Sequence, residues 1–270
     1  MSAALRRLAE GDFRPEPVWV PSHHALGELA DAYNGALHQV HAALAQRDRS
    51  EAKVRQFIAD AGHELRTPLT VIMGYLDVLE DGMCEAPALR RRVVAAMRQE
   101  SRRMRALIEK LICLARLERG EAAGRQLVDV SEIVSRVIES SPDPAATIAV
   151  STVPEARVLA DETDVFDAIR NLLENAVKYA PGSDVAVSTS LQGDDVVLVV
   201  RDHGPGMSEQ DQAHAFDRFY RGHAVDGIDG SGIGLAIVKA AAERSGGTVS
   251  VESRAGDGAA FMIRLPRALA

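Results

Sequence analysis

Cysteine is almost missing from this chain, with only Cys84 and Cys113 among 270 residues. So few exclude a disulfide framework and fit a reducing compartment. Long apolar runs are missing too. No stretch approaches the roughly 18 apolar residues of a membrane span. No signal peptide opens the chain, so the sequence as written is expected to be soluble and intracellular. Positive charge is in deficit, 31 Lys and Arg against 39 Asp and Glu, for a net charge of -8. That balance argues against a nucleic-acid-binding face. His203, His214 and His223 are scattered without partner cysteines, which argues against zinc. The lone tryptophan, Trp19, sits between Val18 and Val20 and reads as packing. Internal repeats and low-complexity segments are absent. The remaining composition, 46% hydrophobic and 26% charged, is that of a soluble globular protein long enough for two domains.

The most informative stretch is FIADAGHELRTPLTVI, residues 57–72. Ile58, Ala61, Leu65, Leu69, Ile72, Leu76 and Leu79 recur at three- and four-residue steps, with one slip at Pro68. Such spacing predicts an amphipathic or coiled-coil helix. His63 lies two residues from Ala61 and Leu65, about 200° around a helix of 3.6 residues per turn, so its imidazole faces away from the seam. Glu64 follows it, and Thr67 stands one turn on, on the same face. Pro68 removes the hydrogen bond its N–H would have made to the Glu64 carbonyl, which favours a bend there.

This helix is expected from about Gln46 to Asp81, broken by the Gly82–Pro87 stretch. A second helix follows, with Val93, Met97, Met104, Leu107, Leu111 and Leu114 on one stripe. The arginines at 90–92, 102, 103 and 105 form a solvated face. Two long helices joined by a short turn predict an antiparallel hairpin. One hairpin has too narrow a seam to stand alone, so two chains forming a four-helix bundle, a homodimer, are expected. Residues 120–129 read as a polar linker. Beyond it, from 130 to 270, helices alternate with strands at 147–150, 157–160, 185–190, 196–201, 248–253 and 260–265. The fold class is therefore multidomain: an all-α hairpin followed by an α+β sandwich with a mostly antiparallel sheet.

HELRTPL, residues 63–69, closely resembles the phosphoacceptor box of two-component sensor histidine kinases. The resemblance implies that His63 becomes phosphorylated. A neutral imidazole has one basic nitrogen and one N–H, and a carboxylate on the N–H fixes the tautomer and raises nucleophilicity. Glu64 is placed for that role. In the family the residue four past the histidine, here Thr67, can orient water for dephosphorylating a response regulator. Residues 5–13, a Pro-rich connector and residues 26–37 resemble part of a HAMP signalling module, giving a HAMP-like segment at 1–45. On that resemblance the chain is the cytoplasmic part of an inner-membrane sensor, touching the membrane only through segments it does not contain.

Further boxes, in order, resemble the ATP-binding domain shared by histidine kinases, gyrase B and MutL. In NLLENAVKY, residues 171–179, Asn171, Asn175 and Lys178 share one helix face. Amide oxygens are hard ligands suited to Mg²⁺. The resemblance gives Asn175 the metal, while Lys178 and Tyr179 reach the phosphates or the ribose. In DHGPGM, residues 202–207, Asp202 accepts from the adenine amine, and Gly204 and Gly206 let the backbone approach the base. FDRFYRG, residues 216–222, resembles the segment leading into the lid over ATP. Phe216 and Phe219 are packing anchors there, and Arg218 or Arg221 touches phosphate. GSGIGLAIV, residues 230–238, places Gly230, Gly232, Gly234 and Leu235 where glycines open a helix, an anion site. Its GxGxG spacing is not the dinucleotide GxGxxG. GDGAAF, residues 256–261, matches the family's closing glycine turn.

The expected activity is that of an ATP-dependent protein-histidine kinase using ATP and Mg²⁺. It would autophosphorylate His63 and pass the phosphoryl group to an aspartate of a response-regulator receiver domain. Three rivals remain: a phosphatase-dominant protein, an ATP-gated switch of the gyrase B and MutL kind, and a dimeric adaptor with a vestigial ATP site.

Overall fold

The computed structural model describes residues 25–81, 86–119, 124–140, 147–222 and 230–268. Residues 5–13 of the HAMP-like segment lie outside them. Two compact units divide the chain at His63 and Glu64. The described part of the first is the opening of helix α1, which spans Ala25–Glu80. No break falls near residue 45. Residues 26–37 lie on the same helix as His63, and α1 continues through Pro68.

In the second unit α1 ends and α2, Pro87–Glu118, begins, with proline in its first turn, where a missing N–H costs nothing. The predicted stripe of α2 is buried at Val93, Leu107 and Leu114 and half-buried at Met97, Met104 and Leu111. Arg90, Arg91, Arg92, Arg102, Arg103 and Arg105 are exposed, as a solvated face should be.

The C-terminal domain opens with β1, Gln126–Asp129, inside the stretch that reads as linker. Four residues are too few to show alternation. The strand exists because it pairs antiparallel with β3. Next come α3, Val130–Glu139, β2, Ile148–Ser151, β3, Arg157–Ala160, and α4, Glu162–Tyr179. Asp129 and Asp161 cap α3 and α4, each accepting from a backbone N–H two residues on at 2.9 Å. Strands β4, Val185–Gln192, and β5, Asp195–Arg201, form a hairpin. The short α5, Glu209–His214, the helix α6, Gly234–Arg244, and the hairpin β6, Thr248–Ser253, with β7, Ala259–Pro266, complete the domain.

The main sheet has the order β2-β4-β5-β7-β6, with only the β2-β4 pair parallel. Strand β4 buries Val185, Val187 and Thr189 and leaves the alternate residues half-exposed, so one face of the sheet carries the core. Helices α4 and α6 lie on that face, packing Val165, Ala168, Ala241 and Ala242 near Leu198, Ile263 and Leu265.

The C-terminal end of α2 belongs to this domain's packing, with Leu114 and Leu117 buried. Ion pairs hold it to α4. Lys110 Nζ lies 2.8 Å from Glu174, and Arg116 lies 3.0 Å from Asp164 and 3.5 Å from Asp167. Cys113 donates to Asp167 at 3.4 Å. Burial first, and then Asp167, push its thiol up to about 11, so it is protonated and unreactive at neutral pH.

Asp164, only 1% exposed, is also met by Arg244 Nε at 3.0 Å. Burial raises its carboxyl pKa, Asp161 adds to the rise, and Arg244 and Arg116 oppose it. Removing Arg244 leaves Arg116 as the remaining cation on this buried carboxylate, so much of its charge compensation is lost. Arg244→Met should therefore destabilise the domain by about 3 kcal/mol at neutral pH. A carboxyl whose pKa is raised in the fold favours folding while protonated and loses that contribution as pH rises through the folded value. The deficit should thus shrink as pH falls toward the ordinary carboxylate range. Urea unfolding across that range checks it, and a pH-independent deficit would mean that Arg244 acts by packing alone.

Candidate functional site

The loop after β5 turns on Asp202, which is 5% exposed. Its Oδ1 accepts from the N–H of Gly204 at 2.9 Å and of Ala259 at 3.3 Å. Its Oδ2 takes no hydrogen bond among the described residues. Two glycines make this arrangement possible. Gly206 has φ +71°, and a Cβ there would meet the Arg254 carbonyl oxygen at 2.1 Å. Gly258, from the closing turn, has φ +79° and would bring a Cβ within 2.1 Å of the Asp202 carbonyl oxygen. Any other residue would force the two loops apart.

Asp202 lines an open cleft of about 100 Å³. Asn175 and Tyr179 from α4, Gly206, and Leu235 from α6 line it too, as the motifs imply. Lys178 stands beside it, its Nζ 3.2 Å from the Tyr179 hydroxyl and 4.6 Å from the ring centre. Burial raises the Tyr179 pKa, and the nearby charge of Arg221 opposes the rise. Lys178, Tyr179 and Arg221 thus make a cationic corner, while Asp202 supplies the cleft's acceptor.

Other predicted residues stand elsewhere. Asn171 is buried behind the cleft, donating to the Asp167 carbonyl at 2.8 Å. Its Oδ1 faces Gly234, where an added Cβ would come within 3.1 Å. Gly234 therefore lets α6 pack against α4. Gly232 accepts from the Phe219 N–H at 2.9 Å, tying the two glycine-flanking segments together. Gly230 lies against the Lys178 side chain, and Gly204 against the Tyr179 carbonyl. Arg218, expected at phosphate, pairs with Glu118 at the end of α2. Arg221 lines the cleft instead, because the chain reverses at Phe219, whose φ is +60°. Phe216 packs edge-on against Phe261, ring centres 6.4 Å apart.

Pro205, Met207, Asp211, Ala215, Tyr220, Gly222, Ala259 and Phe261 complete the lining. Sequence reasoning assigned none of them to the cleft. Ala259 and Phe261 stand in the GDGAAF box, and Tyr220 and Gly222 in FDRFYRG, so the signals were present without a role attached. On α1, His63 and Thr67 are exposed and Glu64 is half-buried.

Comparison with known proteins decides the family. The family described as histidine kinase-, DNA gyrase B- and HSP90-like ATPase matches residues 160–269, and the His Kinase A (phospho-acceptor) domain matches 53–120. The chain belongs to the two-component sensor histidine kinases. A probable sensor histidine kinase of Mycobacterium tuberculosis, TcrY, is 37% identical over 93% of this chain and 54% of its own length. The signal transduction histidine-protein kinase AfsQ2 of Streptomyces coelicolor is 33% identical over 99% of this chain and 52% of its own. The chain spans about half the length of the curated relatives it matches. Among solved structures, full-length ShkA in complex with AMPPNP aligns with TM-score 0.56 and 29% identity, over 80% of this chain and 46% of that one. Histidine kinase ThkA in complex with response regulator protein TrrA shares the fold at TM-score 0.63 and 18% identity, over 82% of this chain and 64% of that one. Among the described residues of this chain, no helix is long and apolar enough to cross a membrane.

Proposed function

We propose that this chain is a kinase core that binds Mg·ATP in the cleft, phosphorylates His63 and hands the phosphoryl group to an aspartate of a response regulator. The observation that carries this reading is the presence in one chain of two parts. One is a cleft with an unused acceptor oxygen on Asp202 and a cationic corner; the other is an exposed histidine within HELRTPL.

The free Oδ2 of Asp202 suits the exocyclic amine of adenine, and Lys178 and Arg221 suit the phosphates. Asn175 would hold Mg²⁺, which neutralises charge on the transferring group. In the transfer, a ring nitrogen of His63 bonds to the γ-phosphorus as the bond from that phosphorus to the bridging oxygen breaks. ADP leaves, and the imidazole proton passes to the Glu64 carboxylate. Thr67, exposed one turn beyond His63, would orient a water for the further duty of dephosphorylating the regulator. The reading places the core in the cytoplasm, where ATP is, as part of an inner-membrane sensor. A second copy is its expected partner. Ile112 is 64% exposed, Met73 57% and Leu69 46%, apolar side chains that a four-helix bundle would cover.

Incubation with γ-labelled Mg·ATP tests the proposal. The chain should acquire an acid-labile, base-stable label, the signature of a phosphoramidate. Clear ATP binding without any label would instead favour the ATP-gated switch.

A further inference from the structure

Asp211 is a buried carboxylate that the proposed chemistry does not use. It is 4% exposed and lies in the first turn of α5. Its Oδ2 accepts from the Ser208 hydroxyl at 2.7 Å, and its Oδ1 accepts from the Tyr220 hydroxyl at 2.8 Å. Gly222 lies against the same carboxylate, where an added Cβ would sit 3.2 Å from its Cγ. The hydrogen bond to Asp211 is also the chief reason the Tyr220 phenol is held above its ordinary pKa.

Tyr220 immediately precedes Arg221, and both line the cleft. Two of the hydrogen bonds that hold their segment bear on its course. The Phe219 N–H donates to the Gly232 carbonyl at 2.9 Å, and the Tyr220 hydroxyl donates to Asp211. Between these ties Phe219 takes φ +60°, a conformation costly for a non-glycine residue that persists only where its surroundings over-determine it. The reversal at Phe219 sends Arg218 to Glu118 and Arg221 to the cleft.

We propose that Asp211 is a positioning residue for the nucleotide's polyphosphate, acting through the Tyr220 hydroxyl to hold Arg221 at the cationic corner of the cleft. This rests on the reading of the cleft as an ATP site. A hydrogen bond to a charged group is worth enough to shift an affinity about tenfold. The bond bears on Arg221 and shares no partner with Asp202, so its loss should be felt by the phosphates and not by the base.

Calorimetric titration of the full chain with the magnesium complex of a non-hydrolysable ATP analogue, and separately with adenosine, provides the test. Tyr220→Phe should weaken the analogue about tenfold and leave adenosine within about twofold. In an Arg221→Gln background the same substitution should cost the analogue less than about twofold, because the group it positions is gone. Equal loss for adenosine and the analogue would mean that the bond serves only the fold, and would overturn the proposal. So would an unweakened analogue, or a loss that persists in full without Arg221. Wild-type chain that binds neither ligand would overturn the ATP reading itself, a result distinct from the others.

Discussion

With His63 replaced by alanine, γ-labelled Mg·ATP should leave no acid-labile phosphate on the chain, while ATP affinity stays within about twofold of wild type. The first expectation follows from chemistry. Imidazole presents a neutral basic nitrogen near pH 7, and alanine presents no nucleophile at all. The second follows from placement. Every residue lining the cleft lies between Asn175 and Phe261, so removal of the His63 side chain takes nothing from it. His63 is also exposed on a helix for which alanine is the best former, so the fold should not suffer. Filter-bound label before and after acid treatment, with a parallel ATP titration, measures both. A variant that still acquires acid-labile label would remove His63 from its role. A variant that loses ATP binding as well would show that the helix and the ATP domain fold interdependently.

The two halves of this protein were unequally legible in the sequence. HELRTPL marks a histidine facing away from an apolar stripe, and His63 and Thr67 are exposed on α1, as are Ile58, Leu69 and Leu76 of that stripe. Asn175, Tyr179, Asp202, Gly206 and Leu235 could be read because each sits in a short contiguous box and each reaches the cleft. Asn171 shows the limit of such reading. It shares a helix face with Asn175, but one turn earlier that face is covered by the start of α6, so Asn171 is buried against Gly234. Arg218 and Arg221 are equivalent as letters. Only the reversal at Phe219 separates them, and a positive φ at a phenylalanine has no sequence signal. Asp211 was invisible for another reason. Its partner Tyr220 is nine residues away, across a loop whose course no local pattern dictates. Strand β1 was lost within a polar linker because a four-residue strand is made by its partner rather than by its own periodicity. The attachment of α2 to α4 was not foreseen either. Lys110 and Arg116 pair with Glu174 and Asp164, 64 and 48 positions further along, and no local pattern links residues so far apart.

Asp202→Asn should reduce ATP affinity by about two orders of magnitude or more without unfolding the domain, since a polar site that loses its hydrogen-bond match discriminates by at least that much. The new side chain has nearly the same shape but cannot be used in either orientation. Oδ1 of Asp202 faces two backbone donors, the N–H groups of Gly204 and Ala259. The amide of asparagine would turn its oxygen to those donors, because its NH₂ group there would leave two buried N–H groups facing a third donor. The NH₂ group is then forced into the position of Oδ2, the acceptor that no described residue uses. An adenine amine arriving there meets a donor instead of an acceptor. The affinity lost is therefore that of a broken hydrogen bond together with the cost of two buried donors left facing each other. A base with a carbonyl at the same edge, as in guanine, would meet a donor it can use, so discrimination against GTP should fall in the variant. Competition of ATP and GTP for a fluorescent nucleotide measures both changes. An unaltered preference would place the base away from Asp202, and near wild-type ATP affinity would remove Asp202 from recognition altogether. Unchanged thermal unfolding is expected alongside, because the oxygen that ties the Asp202 loop to Gly204 and Ala259 is retained.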